Sequence, residues 1–216
     1  MTSFEHVMLG VNGTIAAGLH ERYGWKIVAM AGVAAASPDL DGVTWLISNQ
    51  AFSIGHRVWG HNVLACLLLG ILIGVLDYRV DLVTRVGRRV TRVLRLRVAE
   101  HFVVVREWWD VRSQGTWILV AIVATFSQLP ADLAVSGTKT LPVWGLKLLW
   151  PFSDEEWSFQ MVTYNDPGAI FVFIAGMFAM TKWPERSKQI TRVTLLLVAA
   201  YLLFRGFVWH EPVFGT

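Results

Sequence analysis

Apolar residues gather into six runs along the chain, at 7–19, 25–36, 62–77, 117–131, 169–181 and 190–208, with polar or charged connections between them. Only the last run approaches the roughly 20 residues of a full bilayer span. Several others carry Gly, Asn or Pro, as in LGVNGTIAAG at 9–18. Such helices are admissible in a membrane when a surrounding bundle buries their polar groups. No period-two alternation competes. The pattern therefore predicts an all-α, multi-helix integral membrane bundle of about six apolar helices, forming one domain over 1–216.

Composition agrees: the chain is 54% hydrophobic and 16% charged, with a mean hydropathy of +0.48. That is too apolar and too poor in charge for an ordinary soluble domain. Cys66 is the one cysteine, which excludes an intramolecular disulfide. The opening MTSFEHVMLG has an acidic residue and no basic region, which reads against a cleaved signal peptide.

Charge then orients the bundle. The stretch after the third run, DYRVDLVTRVGRRVTRVLRLRV, carries Arg79, Arg85, Arg88, Arg89, Arg92, Arg95 and Arg97 against Asp77 and Asp81. The connection after the fifth run holds Lys182, Arg186, Lys188 and Arg192, and HERYGWK holds Arg22 and Lys26. The positive-inside rule puts these on the cytoplasmic side of a bacterial-type inner membrane, with the N-terminus outside. Trp25, Trp117 and Trp183 are then expected to belt one interface, and Trp45, Trp59, Trp144 and Trp209 the other. Val83, Val86, Val90, Val93 and Leu94 recur at helical spacing among the arginines. The excursion at 79–113 therefore reads as a basic amphipathic helix on anionic membrane lipid. No nucleic-acid motif accompanies it, and nucleic acid is not an expected partner.

With this topology four separated segments end on the non-cytoplasmic face. They carry His6, SPDLD (37–41), GHRVWGH (55–61) and SQLPAD (127–132). His56 and His61 are not a helical i,i+4 pair; five residues overshoot one turn by roughly 140°. They can meet at one ion only if Trp59 and Gly60 open a loop, with His61 near a helix N-terminus. Pro38 disfavours helix at Ser37, and Asp39 and Asp41 point the same way if that segment is extended. Asp132 lies near the end of the fourth run, where an acid is costly unless paired or solvated. Arg57 has a fork suited to two oxygens of an anion, or equally snorkels at the interface. His20, His101 and His210 read as surface residues away from this cluster, and SDEEW as a solvated acidic loop. Imidazoles and carboxylates without thiolate suit a divalent metal, Zn first and then Mn or Fe.

The order His6, SPDLD, HRVWGH, SQLPADLAVSGTKTLPVWGLKLLWPFS resembles the membrane-bound metal-dependent hydrolase family of YdjM-like inner-membrane proteins, over roughly 1–77 and 116–153. The resemblance implies His6, Asp39, Asp41, His56, His61 and Asp132 as metal-site residues. It also implies a distant likeness to the helical zinc-dependent phospholipase C and P1 nuclease folds. Gln128 stands where the family pattern has a histidine, and is the seventh candidate ligand. Val58, Gly60 and Asn62 replace the family's Gly, Thr and Ser. The function expected is hydrolysis of a phosphoester or lipid-like ester through a metal-activated water, with Asp39 and Arg57 as catalytic candidates. The alternative is a non-catalytic membrane scaffold or partner-binding protein that has lost a ligand at Gln128.

Overall fold

The computed structural model describes residues 1–93, 95, 110–137, 143–164 and 166–208. Leu94, His101, Trp209, His210 and most of the excursion beyond Val93 lie outside the described residues. The described chain is helical throughout its apolar runs. It comprises α1 (Ser3–Ala16), α2 (Leu19–Tyr23), α3 (Trp25–Ala36), a 3-10 segment (Ser37–Leu46), α4 (Asn49–Gly55), α5 (Val63–Val80), α6 (Leu82–Val93), α7 (Val111–Ala134), α8 (Gly168–Lys182), a 3-10 turn (Pro184–Arg186) and α9 (Ser187–Phe207). Among the described residues, β-type pairing consists of two isolated bridges, Val135 with Val162 and Leu146 with Trp157.

Each expected apolar run lies largely within a helix, but the runs differ in reach. Val63–Val80, Val111–Ala134 and Pro184–Phe207 are long and apolar enough to cross a membrane. The helix α8, with 15 residues, is a shorter apolar helix, and α1 and α3 have 14 and 12. Among the described residues the apolar helices thus comprise three of spanning length with shorter ones around them.

Two glycines explain the seam between α5 and α7. A Cβ on Gly70 would stand 2.6 Å from the Cα of Ile122, and one on Gly74 would stand 2.6 Å from the Cα of Ile118. Small residues one turn apart let two helix backbones approach, which is how helices associate where lipid offers no hydrophobic drive. A packed cluster of Ile15, Ile27, Met30, Ala31, Ala34, Tyr78, Trp117 and Ala121 joins α1 and α3 to this pair. Trp117 departs from its expected place in an interfacial belt. It is only 2% exposed, and its indole N–H donates to Asp77 Oδ2 at 2.9 Å. A buried carboxylate needs donors, and the indole supplies one. Trp25, Trp45, Trp59 and Trp183 are exposed.

The basic connections meet at one end of the bundle. Lys26 pairs with Asp81, Lys188 with Glu21 at 3.2 Å, and Arg192 Nε donates to Ala16 O at 3.0 Å. The start of α1, the end of α3, the start of α5 and the end of α7 lie at the other end, where the expected ligands are.

Candidate metal centre

Local signals in the chain deliver each ligand. Thr2 and Glu5 form a reciprocal capping box that starts α1 and sets His6 on its first turns, fully buried. Ser37 closes α3 by donating to Ala34 O at 2.8 Å. The segment expected to be extended is instead 3-10 helical, with Pro38 in its first turn. Proline fits a first turn because no intrahelical donor is required there. At about 120° per residue, side chains two apart diverge, so Asp39 and Asp41 grip His61 from two sides rather than pointing together. Asp39 Oδ1 lies 3.2 Å from His61 Nε2, and Asp41 Oδ2 lies 2.8 Å from Nδ1.

The helix α4 ends at Gly55 and the chain loops through 56–62 before α5, the opening that the His56–His61 spacing requires. Asn62 caps α5 by accepting from Ala65 N at 2.8 Å, as good a cap as the serine it replaces. Gly60 passes so near Pro38 that a Cβ would stand 2.1 Å from the Pro38 oxygen. Its N–H donates to Asp41 Oδ2 at 3.0 Å. Asp41 thus accepts from Gly60 and contacts His61 Nδ1 and His56 Nδ1, the last at 2.7 Å. The ring of Phe52 stacks on His56 with centroids 4.6 Å apart.

From α7 come Gln128 and Asp132, on either side of Pro130. Gln128 Nε2 donates to Asp39 Oδ1 at 2.6 Å and lies 2.8 Å from His61 Nε2. Asp132 lies 3.3 Å from His6 Nε2 and 3.4 Å from His61 Nε2, and contacts the Met1 amino group. All seven expected ligands therefore occupy one neighbourhood. Two triads have donor atoms within 4.8 Å of one another: Asp41, His56 and His61, and His6, Asp39 and Asp132.

These residues fit a divalent ion on the chemistry of their unused atoms. His6 Nδ1 and Nε2, Asp132 Oδ2 and Gln128 Oε1 are buried without a well-aligned hydrogen-bond partner among the described residues. Buried polar atoms are ordinarily satisfied, and leaving one bare costs about 1–3 kcal/mol. A cation among them would use their lone pairs.

Electrostatics point the same way. Burial alone would raise Asp39, but its hydrogen bond to His61, the neighbouring His6 and the Ser3 hydroxyl hold it below the usual carboxylate value. Burial is likewise outweighed at Asp41 by His56 and His61, and its pKa is lowered. At His61 burial would lower the imidazole, yet Asp132, Asp39 and Asp41 push it up to about 11. The His61 contribution to stability is thus fully present below its ordinary 6.5 and fades as pH rises through about 11. The carboxylate contribution is present above 3.8 and is lost as pH falls through the lowered folded values.

Arg57 stands in the left-handed region at φ 64°. Its guanidinium donates to Ser136 Oγ at 3.1 Å, Trp144 O at 2.7 Å and Val135 O at 3.0 Å. These bonds clamp the loop after α7 to the loop before α5, and Nη2 remains 3.6 Å from Asp132. A cavity of about 220 Å³ opens over the cluster, lined by Asp39, Phe52, His56, Arg57, His61, Asp132 and also Tyr164. Tyr164 was not legible as a site residue. It enters the site because its loop pairs with the end of α7, Tyr164 N donating to Gly137 O at 2.8 Å. Burial first, then the charges of Asp39 and Asp132, raises its hydroxyl pKa.

A search of curated proteins and of solved structures finds no match to the chain, so the expected likeness to phospholipase C and P1 nuclease folds has no counterpart there. A family model described as YdjM inner membrane protein matches residues 1–212, well beyond the two stretches that carry the resemblance in sequence. With its apolar helices and its buried His–Asp cluster at one end, the chain belongs to the YdjM inner membrane protein family.

Proposed function

We propose that this chain is a metal-dependent hydrolase of the inner membrane that cleaves a phosphoester or lipid-like ester at its non-cytoplasmic face. The observation that carries the reading is the pair of neighbouring His–Asp triads beneath one cavity, with buried donor atoms left bare. Zinc suits imidazole and carboxylate ligands best, with manganese or iron as substitutes. When bound, such an ion lowers the pKa of a water and neutralises charge on a phosphoryl or acyl oxygen.

The protein's own groups do the rest. Asp39 is the more exposed of the paired aspartates, at 18% against 3% for Asp41, and is the carboxylate placed to take a proton at the cavity. Asp41 orients both imidazoles through their Nδ1 atoms. Arg57 holds the wall in place and keeps a positive charge beside the cavity, favouring an anionic substrate. The rim favours an amphiphile. Leu40, Val43, Trp45, Leu46 and Ile47, on or next to the 3-10 segment that supplies the aspartates, are all exposed, which suits a substrate whose tail stays in lipid.

Purified full-length protein is expected to carry stoichiometric divalent metal, and His56→Ala or Asp39→Ala to remove it, by elemental analysis. Reloading stripped protein should release protons, read by calorimetry in two buffers of different ionisation enthalpy, because His61 must give up its proton. Unchanged metal in both variants would reject the centre.

Gln128 supports a second reading, a non-catalytic scaffold or partner-binding protein. Its amide nitrogen already donates to Asp39 and lies 2.8 Å from His61 Nε2, setting a hydrogen-bond donor where the family pattern has an imidazole. Hydrolysis of any phosphoester or lipid ester by the unmodified, metal-loaded protein rejects that reading.

Sidedness has its own test. With single cysteines at Ile47 and Glu185, both exposed, in a Cys66→Ala background, an impermeant reagent should reach the first in intact cells and the second only after permeabilisation. Same-side reaction would overturn the orientation.

A further inference from the structure

We infer that α6 is a docking surface for the anionic phospholipid of the leaflet at the basic end of the bundle. The helix follows directly on a spanning helix. Asp81, at φ 52° and ψ 41°, breaks α5 from α6, and its carboxylate pairs with Lys26. The Asp77 carboxylate caps the new helix by accepting from Val83 N at 2.9 Å. Val83 is half-buried against the bundle core, and beyond it the helix buries nothing.

Its sequence, LVTRVGRRVTRV, has four arginines and no acid. At about 100° per residue, Val83, Val86, Val90 and Val93 fall within an arc of about 80°, and Arg85, Arg88, Arg89 and Arg92 within about 100° on the adjoining side. Val86, Val90 and Val93 are exposed. The four arginines are exposed as well and make no ion pair among the described residues. Between them lies an open concavity of about 400 Å³, lined by Arg85, Val86, Arg88, Arg89 and Arg92, in which guanidinium forks face a shared space.

A zwitterionic surface would accept the valines but leave the arginines uncompensated. A nucleic acid would neutralise the arginines and leave the valines in water. An anionic leaflet answers both faces at once, the valines entering the acyl boundary and the arginines lying among phosphates. The covalent link to α5 already holds α6 at that surface, so docking carries little further loss of freedom.

The test uses full-length protein with Cys66→Ala and Val90→Cys, carrying an environment-sensitive fluorophore, in nanodiscs. In discs of phosphatidylcholine with phosphatidylglycerol the probe should report an apolar setting, reversed by 0.5 M salt as surface charges are screened (Debye length about 4 Å). In pure phosphatidylcholine it should report water. Each arginine contributes about fivefold to partition, so Arg88→Gln with Arg89→Gln should weaken the response roughly 25-fold. An apolar reading in both disc types, unchanged by salt, would show that something other than anionic lipid covers the valines, and would overturn the proposal. So would a watery reading in anionic discs, or a response only to added duplex DNA.

Discussion

Asp41→Ala should strip the protein of metal and lower its stability in detergent by about 3–5 kcal/mol, the range for removing one partner of a buried ion pair. One carboxylate contacts three groups: His56 Nδ1, His61 Nδ1 and the Gly60 N–H. Removing it leaves all three facing a void, and leaves the His61 proton with only Asp39 and Asp132 to offset it. The loss goes beyond charge. Because Asp41 engages both rings at Nδ1, it leaves Nε2 of each free of it, that of His61 facing Asp39, Gln128 and Asp132, the arrangement by which a carboxylate fixes the tautomer of a metal-binding histidine. Asp41→Asn keeps the shape, but its single acceptor oxygen serves only one ring. Its metal affinity should fall by about 10–100-fold, the usual effect of disturbing such a partner. Melting in detergent and elemental analysis check both variants. Retention of metal by the alanine variant would show that the rings are held by something other than Asp41.

Gly70→Leu should be as damaging although it touches no ligand. Its Cβ would meet the Ile122 backbone at 2.6 Å, and a backbone cannot yield as a side-chain tip does. Forcing a bulky residue into a packed seam typically costs about 1–3 kcal/mol, and more where, as here, a backbone stands in the way. The same wedge separates the helix that follows His61 from the helix that carries Gln128 and Asp132, so metal content should drop with stability. Gly115→Ala is the control on α7, since nothing lies within 4 Å of its added Cβ. It should leave melting unchanged or raise it by about 1 kcal/mol through helix propensity. Equal melting of Gly70→Leu and the parent would show that the seam is looser than its geometry.

The candidate ligands were legible because their order along the chain resembles a family pattern, and because a topology set by charge sends four polar segments to one face. The helices were legible from the apolar runs. Other features were hidden for physical reasons. Pro38 argues against α-helix at Ser37 but not against a 3-10 turn, so the divergence of Asp39 and Asp41 around His61 followed from a conformation the proline rule does not exclude. Trp117 resembles a belt residue in sequence, and its burial depends on Asp77, forty positions away, needing a donor. Gly70 and Gly74 form a spacing that could have been recognised, but their partners on α7 could not. Arg57 could be read in sequence as an anion fork or a snorkelling residue, but its bonds to Val135, Ser136 and Trp144 reach a distant loop that no local pattern links to it. Tyr164 carried no signal at all, because a loop pairing brings it to the cavity.

The contact between Gly70 and Ile122 also acts as a depth gauge. His61 lies nine residues before Gly70, in the loop that leads into α5, and Asp132 ten residues after Ile122 on the antiparallel α7. At 1.5 Å per residue both stand about 14 Å above the crossing point, close to half of a hydrocarbon layer about 30 Å thick. If the crossing sits at the bilayer midplane, the cluster comes level with the boundary between acyl chains and headgroups. Inserting one residue on either side would swing its ligand by about 100° and shift it off that level.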